Sequence, residues 1–63
     1  MNDGELVTRL QRLGYTFETE HYERSNRTIA YIAVDNQSQE TRFRTRRALV
    51  AWMEVLERTR DAI

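Results

Sequence analysis

The spacing of apolar residues changes twice along this chain, and that change constrains the fold more than any other feature. Near the N-terminus, apolar residues from Leu6 to Leu13 recur at the spacing of one helix face. Between Tyr15 and Phe43, branched and aromatic residues alternate with polar ones, which is typical of strands. Helical spacing returns after Ala48. The sequence therefore predicts a helix at each end of a β region.

Clusters of turn-forming residues divide the β region into three strands. Arg24 to Asn26 and Asp35 to Ser38 are the two polar interruptions. Short connections favour an antiparallel meander with the second strand in the centre, and both helices bury their apolar stripes on one face of the sheet. This is an α+β fold in the order α-β-β-β-α. The predicted helices lie near residues 3–13 and 46–61, and the predicted strands near 15–22, 28–34 and 39–44.

The length of 63 residues predicts one compact binding domain, residues 1–63, with a small core. No cysteine is present, so no disulfide and no thiolate metal site supplements that core. In the second helix, the predicted buried stripe runs through Ala48, Leu49, Trp52, Val55 and Leu56. The predicted core consists of Leu6, Leu10, Leu13, Phe17, Ile32, Phe43, Leu49, Trp52 and Leu56.

The chain shows no catalytic or cofactor-binding pattern. His21 is the one histidine, and on a strand Glu20 and His21 point to opposite faces, so they do not share a proton or an ion. The two glycines, Gly4 and Gly14, form no phosphate-binding loop. We therefore expect a protein that is not an enzyme and that uses no cofactor and no metal.

No segment resembles a signal peptide or a membrane span. The longest apolar run, from Ala48 to Met53, is far shorter than the roughly 20 residues that a spanning helix needs. The absence of cysteine fits a reducing compartment. We expect a cytoplasmic protein without a membrane partner.

Charge is distributed unevenly although the net charge is zero. All ten basic residues are arginines, and residues 24–47 hold six of them against Asp35 and Glu40. Two of the six share a strand face opposite Phe43, and two more begin the last helix, where backbone N–H groups favour anions. The sequence predicts an anion-binding or nucleic-acid-binding surface, unless these arginines pair with carboxylates of the chain itself. Its residues are Arg24, Arg27, Arg42, Arg44, Arg46 and Arg47.

Two further surfaces are candidates for contact with a partner protein. Glu18 and Glu20 are predicted on the outer sheet face beside Tyr31, and this mixed acidic and apolar character suits a protein partner. Val50 and Met53 are predicted to lie off the buried stripe of the last helix, where they form a partner or homodimer contact. The alternative for this pair is a helix buried over a wide angle in a small core.

The strand–turn–strand–helix segment with the run Arg42 to Arg47 resembles several nucleic-acid-binding layouts. It is similar to methyl-CpG-binding domains and to the arm-binding domains of phage integrases, in which a three-stranded sheet enters a DNA groove. The α-β-β-β-α order also resembles the double-stranded-RNA-binding fold and small toxins of that fold. The glycine-rich turn and lysine pair of the RNA-binding family are absent, and His21 does not match the toxins' catalytic histidine, so no family is assigned.

Two hypotheses about partner binding follow from the sequence, beside a third in which the chain is a homodimeric structural piece of a larger assembly, joined through the sheet edge or through Val50 and Met53. The first is a small binding module of phage or mobile-element type that binds nucleic acid through its arginine cluster. The second is a protein-binding inhibitor or accessory factor, for example an anti-CRISPR-like or nuclease-blocking protein, that acts on a nucleic-acid-handling complex through its mixed-charge sheet face.

Overall fold

The computed structural model describes residues 1–61, and the last two residues of the predicted domain lie outside that range. The three strands form one antiparallel sheet in the order β1-β2-β3, and both helices pack on the same face of it. The predicted α+β fold class is therefore confirmed. The elements are α1 (Asp3–Arg12), β1 (Thr16–His21), β2 (Thr28–Val34), β3 (Glu40–Phe43) and α2 (Arg46–Asp61).

Both helices begin at capping side chains. The Oδ1 atom of Asn2 accepts a hydrogen bond from the backbone N–H of Glu5 at 2.8 Å. The Oγ1 atom of Thr45 accepts one from the N–H of Ala48 at 3.1 Å. Each bond satisfies a backbone donor that has no partner inside the first turn of its helix, and this explains why the helices start where the sequence predicts.

The C-terminal end of α1 is a Schellman motif. The N–H of Gly14 donates to the carbonyl of Gln11 at 3.0 Å, and the N–H of Tyr15 donates to the carbonyl of Leu10 at 2.9 Å. Gly14 has a φ of +90°, in the left-handed region that glycine enters without steric cost. The motif ends α1 and directs the chain into β1.

Strand register decides which face of the sheet meets the helices. Phe17 of β1 is opposite Ala33 of β2, and Tyr31 of β2 is opposite Phe43 of β3, so these four residues share one face. All four pack in or against the core beneath the helices. The prediction that Ile32 faces the helices and that Tyr31 lies on the outer face is therefore wrong, because the partners on both flanking strands require the opposite orientation of β2.

The fully buried residues of the core come from both helices and from the central strand. Trp52 packs at its border, with its ring centroid 5.1 Å from that of Tyr15 in an edge-to-face arrangement and 5.4 Å from that of Phe43. The core thus joins the helices to β1, β2 and β3. Its fully buried members are Leu6, Leu10, Ala33, Leu49 and Met53.

The buried stripe of α2 is rotated from the predicted one. Met53 is fully buried and Val50 packs partly buried against the core, whereas Ala48 is exposed and Val55 is 52% exposed. The prediction that Val50 and Met53 lie off the buried stripe is therefore wrong. The physical reason is that α2 packs on α1 as well as on the sheet, so it buries a side that an amphipathic helix on a sheet alone would expose.

Polar contacts join the two helices beside the core. The Nε of Arg9 donates to Oε2 of Glu57 at 2.9 Å, and a second hydrogen bond makes the pair bidentate. Nη1 of Arg60 donates to the carbonyl of Arg12 at 2.6 Å. The hydrogen bond from Arg9 lowers the pKa of Glu57, against a smaller opposing effect of burial, and the bond to Glu57 raises the pKa of Arg9.

Candidate functional site

Arg42 is engaged on the outer face of the sheet. Its guanidinium forms an ion pair with Glu20 of β1, and its Nη1 donates to Oε1 of Glu40 at 3.1 Å. Since β2 separates β1 from β3, the Arg42–Glu20 pair crosses over the central strand. Two carboxylates thus neutralise the charge of Arg42, and this arginine is not available to an anion in the conformation described.

The Arg42–Glu20 ion pair crosses two apolar side chains. Ala30 and Ile32 are 8% and 7% exposed although they lie on the face opposite the helices. Within residues 1–61 no element packs on this face, so the long side chains of the flanking strands cover it. Aliphatic stems that shield an apolar surface while their charged ends stay in water are common on such faces.

Arg46 is also engaged, at the start of α2. Its Nη2 donates to the carbonyl of Met1 at 2.7 Å and lies 3.2 Å from Oδ1 of Asp3. These contacts connect the N-terminus of α2 to the N-terminus of α1. Two of the six arginines that the sequence groups together therefore make contacts within the chain, and the alternative of internal pairing applies to Arg42 and Arg46.

The other four predicted arginines are exposed and make no ion pair with any residue of the described part of the chain. They belong to two short segments that flank one end of the sheet. The first is the β1–β2 loop, and the second is the junction between β3 and α2. We call Arg24, Arg27, Arg44 and Arg47 the unpaired arginines.

Two of the unpaired arginines share an open concavity of about 550 Å³. Arg27, at the end of the β1–β2 loop, and Arg44, just after β3, line it together with Tyr22 and Ile29. Tyr22 is 54% exposed and Ile29 is 45% exposed, so an aromatic and a branched apolar side chain lie open to solvent in the same concavity as two arginines. We call these four residues the loop-end site.

The β1–β2 loop has a defined backbone geometry. The N–H of Tyr22 donates to the carbonyl of Arg27 at 2.8 Å, and the N–H of Asn26 donates back to the carbonyl of Tyr22 at 3.0 Å. Asn26 has a φ of +57°, in the left-handed region that asparagine tolerates better than most residues. These bonds hold Tyr22 and Arg27 side by side at the base of the loop.

Sequence reasoning identified the arginines of the loop-end site but not its apolar members. The sequence predicts Ile29 as an ordinary residue of the second strand, and it predicts Tyr22 as the last residue of the first strand. No signal in the sequence identified Ile29, because the orientation of β2 is decided only by the tertiary structure. That structure places Ile29 two residues before Tyr31 on the helix-facing side of β2, beyond the part that the helices cover. An apolar residue at that position has no internal partner.

The remaining predicted contact residues occupy different surroundings. Glu18 is exposed on the outer face of β1 and makes no ion pair among residues 1–61. Glu20 is paired with Arg42. Tyr31 is partly buried under the helices and stacks on Phe17, with ring centroids 6.4 Å apart. With Met53 fully buried and Val50 half-buried, the predicted contact at α2 is not exposed as a patch.

Within residues 1–61, no group of three or more histidine, cysteine or acidic side chains is arranged to hold a metal ion. In that range, none of the helices combines the length and apolar character required to cross a bilayer. Comparison of the chain with protein-family models, with curated proteins and with solved structures finds no match.

Proposed function

We propose that this chain is a non-enzymatic nucleic-acid-binding module whose phosphate contacts come from the unpaired arginines. The observation that carries the proposal is that Arg27 and Arg44, which are distant in sequence, line one open concavity without an ion-pair partner among residues 1–61. Guanidinium groups bind phosphate oxygens through two parallel hydrogen bonds, and the affinity of nucleic-acid-binding proteins comes largely from such contacts.

The distribution of the acidic residues supports this location. Glu20 and Glu40 form ion pairs with Arg42. Asp3 forms an ion pair with Arg46, and Glu57 forms one with Arg9. These four acidic residues therefore pair with arginines that lie outside the loop-end site. Near the loop-end site, Glu23 is the one acidic residue of the β1–β2 loop. Glu20 shares a second concavity with Ile29 and Arg44, but its carboxylate is paired with Arg42. The unpaired arginines together with Glu23 therefore carry a net positive charge, although the whole chain is neutral.

A salt titration of oligonucleotide binding tests the proposal. For four phosphate contacts with a single strand, the logarithm of the affinity should fall with a slope of about −2.8 against the logarithm of salt concentration, which is about 50-fold between 50 and 200 mM. Arg44→Glu should abolish binding at 200 mM salt. The measurement is fluorescence polarisation of a labelled 12-nucleotide strand.

Arg58→Glu is the matched control, because it makes the same change of charge near the other end of α2. Arg58 donates only to the backbone carbonyl of Glu54, at 3.4 Å, among its described contacts. Arg58 lies eleven positions after Arg47 in α2, so the two residues are about 16 Å apart along the helix axis. Equal losses in Arg44→Glu and Arg58→Glu would show that binding does not use the loop-end site. Absence of wild-type binding at 50 mM salt would refute the function itself.

A second function is favoured by a separate observation at the β1 edge of the sheet. β1 is an edge strand with no strand beyond it in the described structure, and Glu18 projects from it without an ion pair among residues 1–61. An edge strand with acidic side chains fits an extended basic segment of a partner protein. Calorimetric titration with a peptide of alternating arginine and threonine should show binding that Glu18→Lys removes and Thr8→Lys, on α1, leaves intact.

A further inference from the structure

We infer that the loop-end site takes single-stranded nucleic acid, with one base stacked on the ring of Tyr22. This inference rests on the proposed function and specifies its ligand. Tyr22 is 54% exposed and Ile29 45% exposed, and both line the concavity that Arg27 and Arg44 flank. An aromatic ring in a groove that also carries cationic side chains is the arrangement that single-strand-binding surfaces use, since every base has a π face and every linkage has a phosphate.

The exposure of Tyr22 and Ile29 has no explanation inside the fold. The other aromatic residues, Tyr15, Phe17 and Tyr31 among them, pack against the core or against one another. Tyr22 has no ring partner in the described part of the chain, and its hydroxyl makes no hydrogen bond there. Covering exposed apolar surface lowers the free energy, and a flat base whose linkages carry phosphates can cover Tyr22 while its phosphates contact the arginines of the same concavity.

The acidic residues around the loop argue against a duplex at the same place. B-form DNA carries a phosphate for about every 1.7 Å of helix axis, so a loop inserted into a groove meets phosphates on both sides. Glu18 and Glu23, on β1 and in the loop, are exposed and make no ion pair among residues 1–61. They would lie near those phosphates. Neither Glu18 nor Glu23 lines the concavity of Arg27 and Arg44, so a single strand bound in it does not have to contact these carboxylates.

The test compares a 12-nucleotide single strand with the duplex of the same sequence, with Tyr22→Ala and Tyr22→Phe as the variants. Wild-type protein should bind the single strand more tightly than the duplex. Tyr22→Ala should weaken single-strand binding about 5- to 150-fold and change duplex binding by less than about 3-fold. Tyr22→Phe keeps the ring and should keep the affinity. Circular dichroism checks that each variant is folded.

A base analogue gives a second readout that a merely structural role of Tyr22 would not move. A strand containing 2-aminopurine should lose fluorescence on binding to wild type and to Tyr22→Phe, because the analogue stacks on the ring. It should keep its fluorescence when bound by Tyr22→Ala at saturating protein.

The outcomes separate this inference from the function on which it rests. If Tyr22→Ala keeps full single-strand affinity while Arg44→Glu loses it, the stacking site is refuted and nucleic-acid binding stands. Equal or tighter binding of the duplex by wild type also refutes the inference alone. If wild type binds neither the single strand nor the duplex at 50 mM salt, the proposed function fails as well.

Discussion

Replacement of Met53 by alanine tests the observed rotation of α2 most directly. Met53 is fully buried in the core, in one cluster with Leu6, Leu10 and Leu49. Truncation of a buried methionine to alanine costs about 2–5 kcal/mol, through lost transfer free energy and the cavity left behind. A chain of 63 residues has a total stability of about 3–9 kcal/mol at about 0.05–0.15 kcal/mol per residue. The variant should therefore lose a large part of its stability.

Urea unfolding followed by the fluorescence of Trp52, the one tryptophan of the chain, measures this loss. With a slope of about 1 kcal/mol/M for a small domain, a loss of 2 kcal/mol lowers the midpoint by about 2 M. Val55→Ala is the matched control on the same helix, because Val55 is 52% exposed and should change stability by less than about 0.5 kcal/mol.

The opposite ranking would refute the reasoning. If Val55→Ala lowered the midpoint more than Met53→Ala did, α2 would bury the side that its sequence pattern predicts, and Met53 would be available as an interface residue. Circular dichroism at 222 nm should give the same midpoints as Trp52 fluorescence, which excludes a purely local effect of the neighbouring substitution on the indole.

Three further predictions concern particular positions. The hydrogen bond from Arg9 lowers the pKa of Glu57 below its ordinary value of 4.5. The Arg9–Glu57 pair therefore stabilises the folded state above pH 4.5, and this stabilisation is lost as the pH falls through the folded-state pKa of Glu57. Glu57→Gln should lower the Tm at pH 7, and its difference from wild type should shrink below pH 4.5. Gly14→Ala should cost about 1 kcal/mol because φ is +90° there, whereas Gly4→Ala, on helical backbone with room for a methyl group, should stabilise slightly in the same urea titration. Thr45→Ala removes the cap of α2 and should cost about 1 kcal/mol, with Thr45→Ser close to wild type.

The limits of the elements could be predicted well from the sequence. The predicted ranges 28–34 and 46–61 agree with the observed β2 and α2, and the other three elements differ by one residue at their ends. These limits depend on caps and turns, whose partners lie within five residues. Asp35 illustrates this, because its Oδ1 accepts hydrogen bonds from the N–H groups of Gln37 at 2.8 Å and Gln39 at 2.9 Å and so closes the second turn.

The candidate site could be predicted only in part. The sequence identified the arginine-rich segments, but it could not separate Arg44, which has no ion pair within residues 1–61, from Arg42, which has two. The two arginines are two residues apart in one short segment of the sequence. The difference arises from the position of Glu20 across the sheet, and neither charge counts nor periodicity contain that position.

The sequence by itself determined the order of elements, their ends and the sheet topology, because caps, turns and apolar spacing involve residues that are close along the chain and short connections favour neighbouring strands. Only the tertiary structure decided the orientation of β2, the rotation of α2 and the partners of the arginines. Glu20 and Arg42 are 22 residues apart, and Asp3 and Arg46 are 43 residues apart. Such pairs form only after the sheet and helices have packed, so the exposed charge of this protein is a property of the folded chain.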